Sequence, residues 1–165
     1  MPYVRERDFW LPLYAVLIIY FILLFRKWSW IPILAAAITV TATDQISSSL
    51  IKPWVGRLRP CNDPLISAQV QLVVNCGSGL SFVSSHAANH FGIACFLIIL
   101  LQARIKWITP VALLWATLVS FAQVYVGVHY PADVICGALL GTTVGVFAGR
   151  ICRSLLIKKN PGVFA

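Results

Sequence analysis

The chain carries little charge. Only 11% of its 165 residues are charged, and just five are Asp or Glu. A soluble domain carries about 25% charged residues. So few cannot cover a water-facing globular surface. Internal repeats, low-complexity tracts and flexible linkers are also lacking, which excludes a repeat array and leaves one domain over residues 1–165. The opening MPYVRERD has no signal-peptide character. No continuous basic face exists to match the net charge of +8, which excludes a nucleic-acid partner.

What the chain has instead is apolar length. It is 59% hydrophobic, and its mean hydropathy is +0.85. Five nearly uncharged runs span Phe9 to Phe25, Trp28 to Ile51, Phe82 to Ala103, Trp107 to Val128, and about Pro131 to Ile151. At 1.5 Å rise per residue, helices of this length match a bilayer core. Trp10, Trp28, Trp30, Trp107 and Tyr130 stand at segment ends, as interfacial anchors do. The expected fold is all-α, a polytopic transmembrane bundle with five spanning helices.

The charges that remain are placed by topology. Arg26, Lys27, Arg104, Lys106, Arg150, Arg153, Lys158 and Lys159 occupy alternate segment ends, and they are eight of the thirteen Lys and Arg residues. The positive-inside rule puts those ends in the cytoplasm. The N-terminus, the polar stretch 52–81 and His129 are then expected outside a cytoplasmic (inner) membrane. Lys52, Arg57 and Arg59 lie outside against the rule, which implies a local task.

Three polar clusters meet on that outer face. The first is Lys52-Pro-Trp-Val-Gly-Arg57-Leu-Arg59-Pro60; the second is Ser81-Phe-Val-Ser84-Ser85-His86; the third runs from Gln123 to Asp133. Lys52 and Arg59 offer a point charge and a bidentate fork for phosphate oxygens. Ser84 and Ser85 precede an apolar run, where a helix start presents free N–H groups to an anion. His86 falls in that first turn, placed to give a proton to a leaving oxygen. His129 and Asp133 are four apart, and Pro131 suits the first turn of a helix. A carboxylate on one ring nitrogen fixes the tautomer and leaves the other nitrogen free to attack. Taken singly, each feature has an ordinary reading as a headgroup contact, a helix cap or a solvated histidine.

The joint pattern K-x6-R-P, Ser-x-His and H-x3-D resembles the type 2 phosphatidic acid phosphatase superfamily, from about Asp44 to Gly141. Lys52, Arg59 and Pro60 match its first motif, and His129 and Asp133 its third, within Tyr-Val-Gly-Val-His-Tyr-Pro-Ala-Asp. The resemblance implies a membrane lipid phosphatase needing no metal and no cofactor. His129 would form a phosphohistidine and His86 would protonate the leaving group. Lys52, Arg59, Ser84 and Ser85 would hold the phosphoryl oxygens. This chain departs from the family in three ways. Val83-Ser84-Ser85-His86 stands where P-S-G-H is usual. Ala122-Gln123 stands where S-R is usual, so either the site is less cationic or Arg57 compensates. Five spans are visible where six are usual, which leaves open a sixth at the N-terminal side.

The expected substrate is a membrane lipid phosphate. The candidates are undecaprenyl pyrophosphate, phosphatidylglycerol phosphate, phosphatidic acid and the phosphate of lipid A. Short loops offer little headgroup selectivity, and the reading leans to a polyprenyl pyrophosphate. The rival from another class is a non-catalytic phosphate-lipid binder or small transporter, which Gln123 keeps open. The oligomeric state is not legible.

Other residues read as structure. His90 is expected to pack or hydrogen-bond rather than bind zinc. Asp44, among Gln45, Ser47, Ser48 and Ser49, suggests a polar network between helices. Cys95, Cys136 and Cys152 read as small packing residues, while Cys61 and Cys76 are placed to pair in an oxidising compartment. Gly137, Gly141 and Gly145 form a ridge for close helix packing, within the bundle in preference to between chains.

Overall fold

A computed structural model describes residues 1–164. Its five long helices fall on the five apolar runs. They are α1 (Leu11–Phe25), α2 (Trp30–Gln45), α4 (Ser85–Leu101), α5 (Ile108–Tyr125) and α6 (Pro131–Lys159). A π-helical turn, Ile46–Ile51, and the short α3, Lys52–Val55, follow α2 with no non-helical residue between them. Gly56 then stops the helix in the left-handed region at φ 65°, with its N–H bonded to the Lys52 carbonyl, as a glycine after a helix does. Residues Asp8–Trp28, Ile108–Tyr125 and Pro131–Lys159 form helices long and apolar enough to cross a membrane. The 17-residue α4 is shorter, and α2 carries Asp44. The last helix runs past Ile151 to Lys159, because nothing breaks it before Asn160-Pro161-Gly162.

Helix α4 is the hub, packed against α2, α5 and α6. Its contact with α6 is set by glycine. A Cβ on Gly141 would stand 2.1 Å from the Ala88 carbonyl oxygen, and one on Gly145 2.1 Å from that of Gly92. A Cβ on Gly137 would stand 2.5 Å from the Ser84 carbonyl oxygen. The ridge therefore works inside the bundle, and Gly149, against Ile99, extends it by a turn. The opposite face of α6 shows Ile135, Leu139, Phe147 and Ile151 outward, an apolar stripe suited to lipid.

Polar groups tie α2 to α4. Thr43 donates to Asn89 Oδ1 at 2.6 Å, Asn89 donates to Asp44 Oδ1 at 3.3 Å, and Ser47 donates to Ser85 Oγ at 2.8 Å. Asp44 thus takes the interhelical role its neighbours suggest. The basic residues gather at one end: Lys27 and Lys159 both stack on Trp28, and Arg150, Arg153 and Lys158 line one cavity.

Candidate active site

At the other end, the loop 126–130 and the first turns of α4 and α6 converge. Tyr130 caps α6 reciprocally: its N–H donates to Asp133 Oδ2 at 2.9 Å. That capping turn buries Asp133 completely and points its carboxylate at the preceding histidine. His129 Nδ1 lies 3.5 Å from Asp133 Oδ2, a long approach of the kind that tightens when substrate binds. The backbone is held as well: the His129 and Val128 N–H groups both donate to the Gln123 carbonyl, at 3.3 and 3.2 Å.

Asp133 has two further partners. Arg57 Nη1 donates to Oδ1 at 2.9 Å, and Ser81 Oγ donates to Oδ2 in a very short hydrogen bond. Ser81 Oγ also lies 3.4 Å from His129 Nδ1. Ser81 is a site residue that sequence reasoning missed, although it stood in the second cluster. Its link to position 133 spans 52 residues of chain and leaves no local signal.

Arg57 is not placed as a free phosphate cation. Its guanidinium sits between the rings of Phe82 and Tyr130, with centroids 5.4 and 5.3 Å away, and it clamps Asp133. Arg59 is also engaged. Its Nε donates to the Gly79 carbonyl at 3.0 Å and Nη1 to that of Cys76 at 2.9 Å. The Cys61–Cys76 disulfide is formed, with Cα atoms 5.9 Å apart, and it fixes the loop whose carbonyls hold Arg59. Two of the five Arg59 donors take these bonds.

Ser84 is the α4 N-cap, accepting from the Ala87 N–H at 3.4 Å, and its own N–H donates to the Asp133 carbonyl. The Ser84 hydroxyl is thus used as a cap. The phosphate-facing potential of the segment lies with the N–H groups of Ser85 and His86, which occupy the first helical positions. His86 Nδ1 and Nε2 carry no structural duty comparable to that of His90. The His90 Nδ1 meets the His86 carbonyl at 2.8 Å, and its ring packs edge-on to Trp115 at 4.9 Å. His90 is a packing residue, as expected.

Electrostatics join the parts. Burial is the largest influence on His129 and holds its imidazolium below the usual histidine range, with Asp133 opposing and Arg59 and Lys52 assisting. Lys52 is lowered from its ordinary value by burial and by Arg59, against the pull of Asp44 and Asp133. His86 lies within electrostatic reach of both His129 and Lys52. Lys52, Arg59, His86, His129 and Asp133 are therefore linked electrostatically in one cluster.

Gln123 sits differently. It is fully buried, and neither its Oε1 nor its Nε2 has a hydrogen-bond partner. Its backbone carbonyl shapes the His129 turn, while its side chain brings no charge.

Known proteins resemble the chain in sequence and in fold. The family model of the PAP2 superfamily matches residues 33–154. The chain is 41% identical over 138 residues to a lipid A 4'-phosphatase of Bacteroides thetaiotaomicron, covering 80% of this chain and 59% of that protein. It is 30% identical over 147 residues to an undecaprenyl-diphosphatase of Sulfolobus acidocaldarius, covering 81% and 68%. The structure superposes on a crystal structure of a transmembrane PAP2-type phosphatidylglycerolphosphate phosphatase from Bacillus subtilis with TM-score 0.65 and 26% identity. That match covers 91% of this chain and 72% of the other. The chain spans about three-fifths of the first of these relatives.

Proposed function

Because this chain belongs to the PAP2 superfamily of multi-pass membrane proteins, we propose that it hydrolyses a phosphate group from a membrane lipid phosphate or diphosphate. The observation that carries the reading is the buried His129–Asp133 pair with His86 and two cations around it. With Nδ1 turned to the carboxylate, the proton sits there and Nε2 keeps the attacking lone pair.

The steps balance. His129 Nε2 forms a bond to phosphorus while the bond from phosphorus to the lipid oxygen breaks. That oxygen leaves with the electron pair and takes a proton from His86. The imidazolium formed at His129 is stabilised by Asp133, which Arg57, Ser81 and the Tyr130 N–H hold in place. His86, now a base, takes a proton from water as the water oxygen bonds to phosphorus; the bond from phosphorus to Nε2 breaks, its electron pair returns to His129, and phosphate is released. Lys52, Arg59 and the N–H groups at the start of α4 bind the equatorial oxygens, where charge accumulates.

The site faces the outer side of the cytoplasmic membrane, a reading supported by the basic residues gathered at the opposite end. Relatives named for lipid A, undecaprenyl diphosphate and phosphatidylglycerolphosphate support a lipid substrate over a soluble one. The second reading, a non-catalytic phosphate-lipid binder or small transporter, is favoured by one feature, the neutral and buried Gln123. One assay separates the two. Protein in detergent, with metals chelated, should release phosphate from a panel of these lipids, and His129→Ala should lower release by at least about 10²-fold while remaining folded. Equal turnover in that variant would overturn the nucleophile, and no release by the native protein would favour the binder.

A further inference from the structure

The N-terminal turn Tyr3–Arg5 packs against α5. Trp10 pins it there. Its Nε1 donates to the Val4 carbonyl at 2.7 Å, and its ring meets Trp115 edge-on at 5.7 Å. This carries Arg5 inward. The Arg5 side chain is only 15% exposed, its ion pair with the 63% exposed Glu6 is a long 3.9 Å, and its Nε is buried without a hydrogen-bond partner. A buried guanidinium donor of this kind calls for an acceptor that none of the described residues gives.

What Arg5 faces is a cavity of about 670 Å³ between α1, α2 and α4. Arg5, His86 and Asp44 are among its polar lining residues, and Leu17, Phe21 and Leu97 are among its apolar ones. His86 is thus common to the cavity and the catalytic cluster, within electrostatic reach of both His129 and Arg5. The electrostatic reach of Arg5 extends to both His86 and Arg59. A largely apolar cavity with a cation in its lining suits an amphiphile whose anionic group lies beside the scissile bond.

We propose that Arg5 binds the non-transferred phosphate of a lipid diphosphate, so that the chain prefers diphosphate over monophosphate lipids. This rests on the roles given above to His129 and His86. When the bond between the terminal phosphorus and the bridging oxygen breaks, that oxygen leaves as part of a lipid monophosphate and takes its proton from His86. The leaving group is itself an anion, and a fixed cation on that side stabilises the charge as it develops. Lys52 and Arg59 serve the phosphoryl group that is transferred; Arg5 serves the one that stays.

The test compares one polyprenyl chain carrying either a diphosphate or a monophosphate, with native protein, Arg5→Gln and Arg5→Lys in detergent. Arg5→Gln should lower kcat/KM for the diphosphate about tenfold or more and change the monophosphate rate less than about twofold, with Arg5→Lys partly restoring the loss. Equal losses on both lipids, or no loss, would overturn the role of Arg5. A second measurement does not depend on turnover: binding of the methylene-bridged diphosphonate lipid against the matching monophosphonate. Native protein should favour the former and Arg5→Gln should not; equal binding by the native protein would overturn the inference. Absence of hydrolysis with preferential diphosphonate binding would overturn the catalytic reading alone.

Discussion

At the scale of single residues, the site is organised around one carboxylate. Asp133 accepts from Arg57, Ser81 and the Tyr130 N–H, and these bonds leave its Oδ2 edge facing His129. A buried carboxylate with this many donors stays ionised and fixed. It then orients one imidazole tautomer. The consequence is a pH dependence with a definite sign. In the proposed mechanism only neutral His129 has a lone pair to attack, and burial holds its pKa below the ordinary range. The acid limb of kcat/KM should therefore fall below about pH 6.5, the usual histidine value. A profile measured in detergent would check it, and an acid limb clearly above that value would contradict the neutral nucleophile. The histidines and Asp133 were legible in the sequence because the chemistry needs an imidazole and a carboxylate one helical turn apart. Ser81 and the clamp by Arg57 were not. Both act across the fold: the sequence offers Arg57 as a substitute for the charge that Gln123 lacks, and only the structure shows its partner to be Asp133.

At the scale of elements, backbone proximity decides the architecture. Helices α4 and α6 meet backbone to backbone at Gly141 and Gly145, with Gly137 close to the Ser84 carbonyl and Gly149 packed on the Ile99 side chain. This close approach also brings the start of α6, with Asp133, against the start of α4, where the Ser84 N–H bonds the Asp133 carbonyl. Packing and site are thus one construction. Gly141→Ala would put a Cβ 2.1 Å from the Ala88 carbonyl oxygen, and backbone on both sides cannot yield cheaply. Overpacking of this kind costs about 1–3 kcal/mol. The variant should unfold at lower temperature in detergent, while Gly162→Ala, with nothing within 4 Å, should match the native protein. An unchanged melting temperature for Gly141→Ala would show that the helices do not meet as described. The three-glycine ridge was readable from its four-residue spacing. The π-helical turn Ile46–Ile51 was not, because no residue type announces an extra residue in a helix. Its effect is to set the rotation at which Lys52 leaves α2.

At the scale of the whole molecule, charge is sorted by end. Lys27, Arg150, Arg153, Lys158 and Lys159 collect at one end, and the candidate site, the disulfide and Lys52, Arg57 and Arg59 occupy the other. The five helices were legible as apolar runs, because a bilayer imposes length and apolarity, although the last helix extends past Ile151 to Lys159 and three of the five are long and apolar enough to cross a membrane. The long connection from Gly56 to Ser84 was legible only as polar, since its shape comes from the Cys61–Cys76 bond and from Arg59 holding the carbonyls of Cys76 and Gly79. The sorting of charge has a testable result. If basic ends face the cytoplasm, the stretch 56–84 lies outside, in a compartment where a disulfide persists. A single cysteine introduced at Leu65, which is 87% exposed, should react with a membrane-impermeant maleimide on intact cells. One introduced at Lys158, beside the basic cavity, should react only after the membrane is opened. The reverse pattern would turn the molecule over and place its chemistry on the cytoplasmic leaflet. A lipid phosphate would then have to reach His129 from the inside.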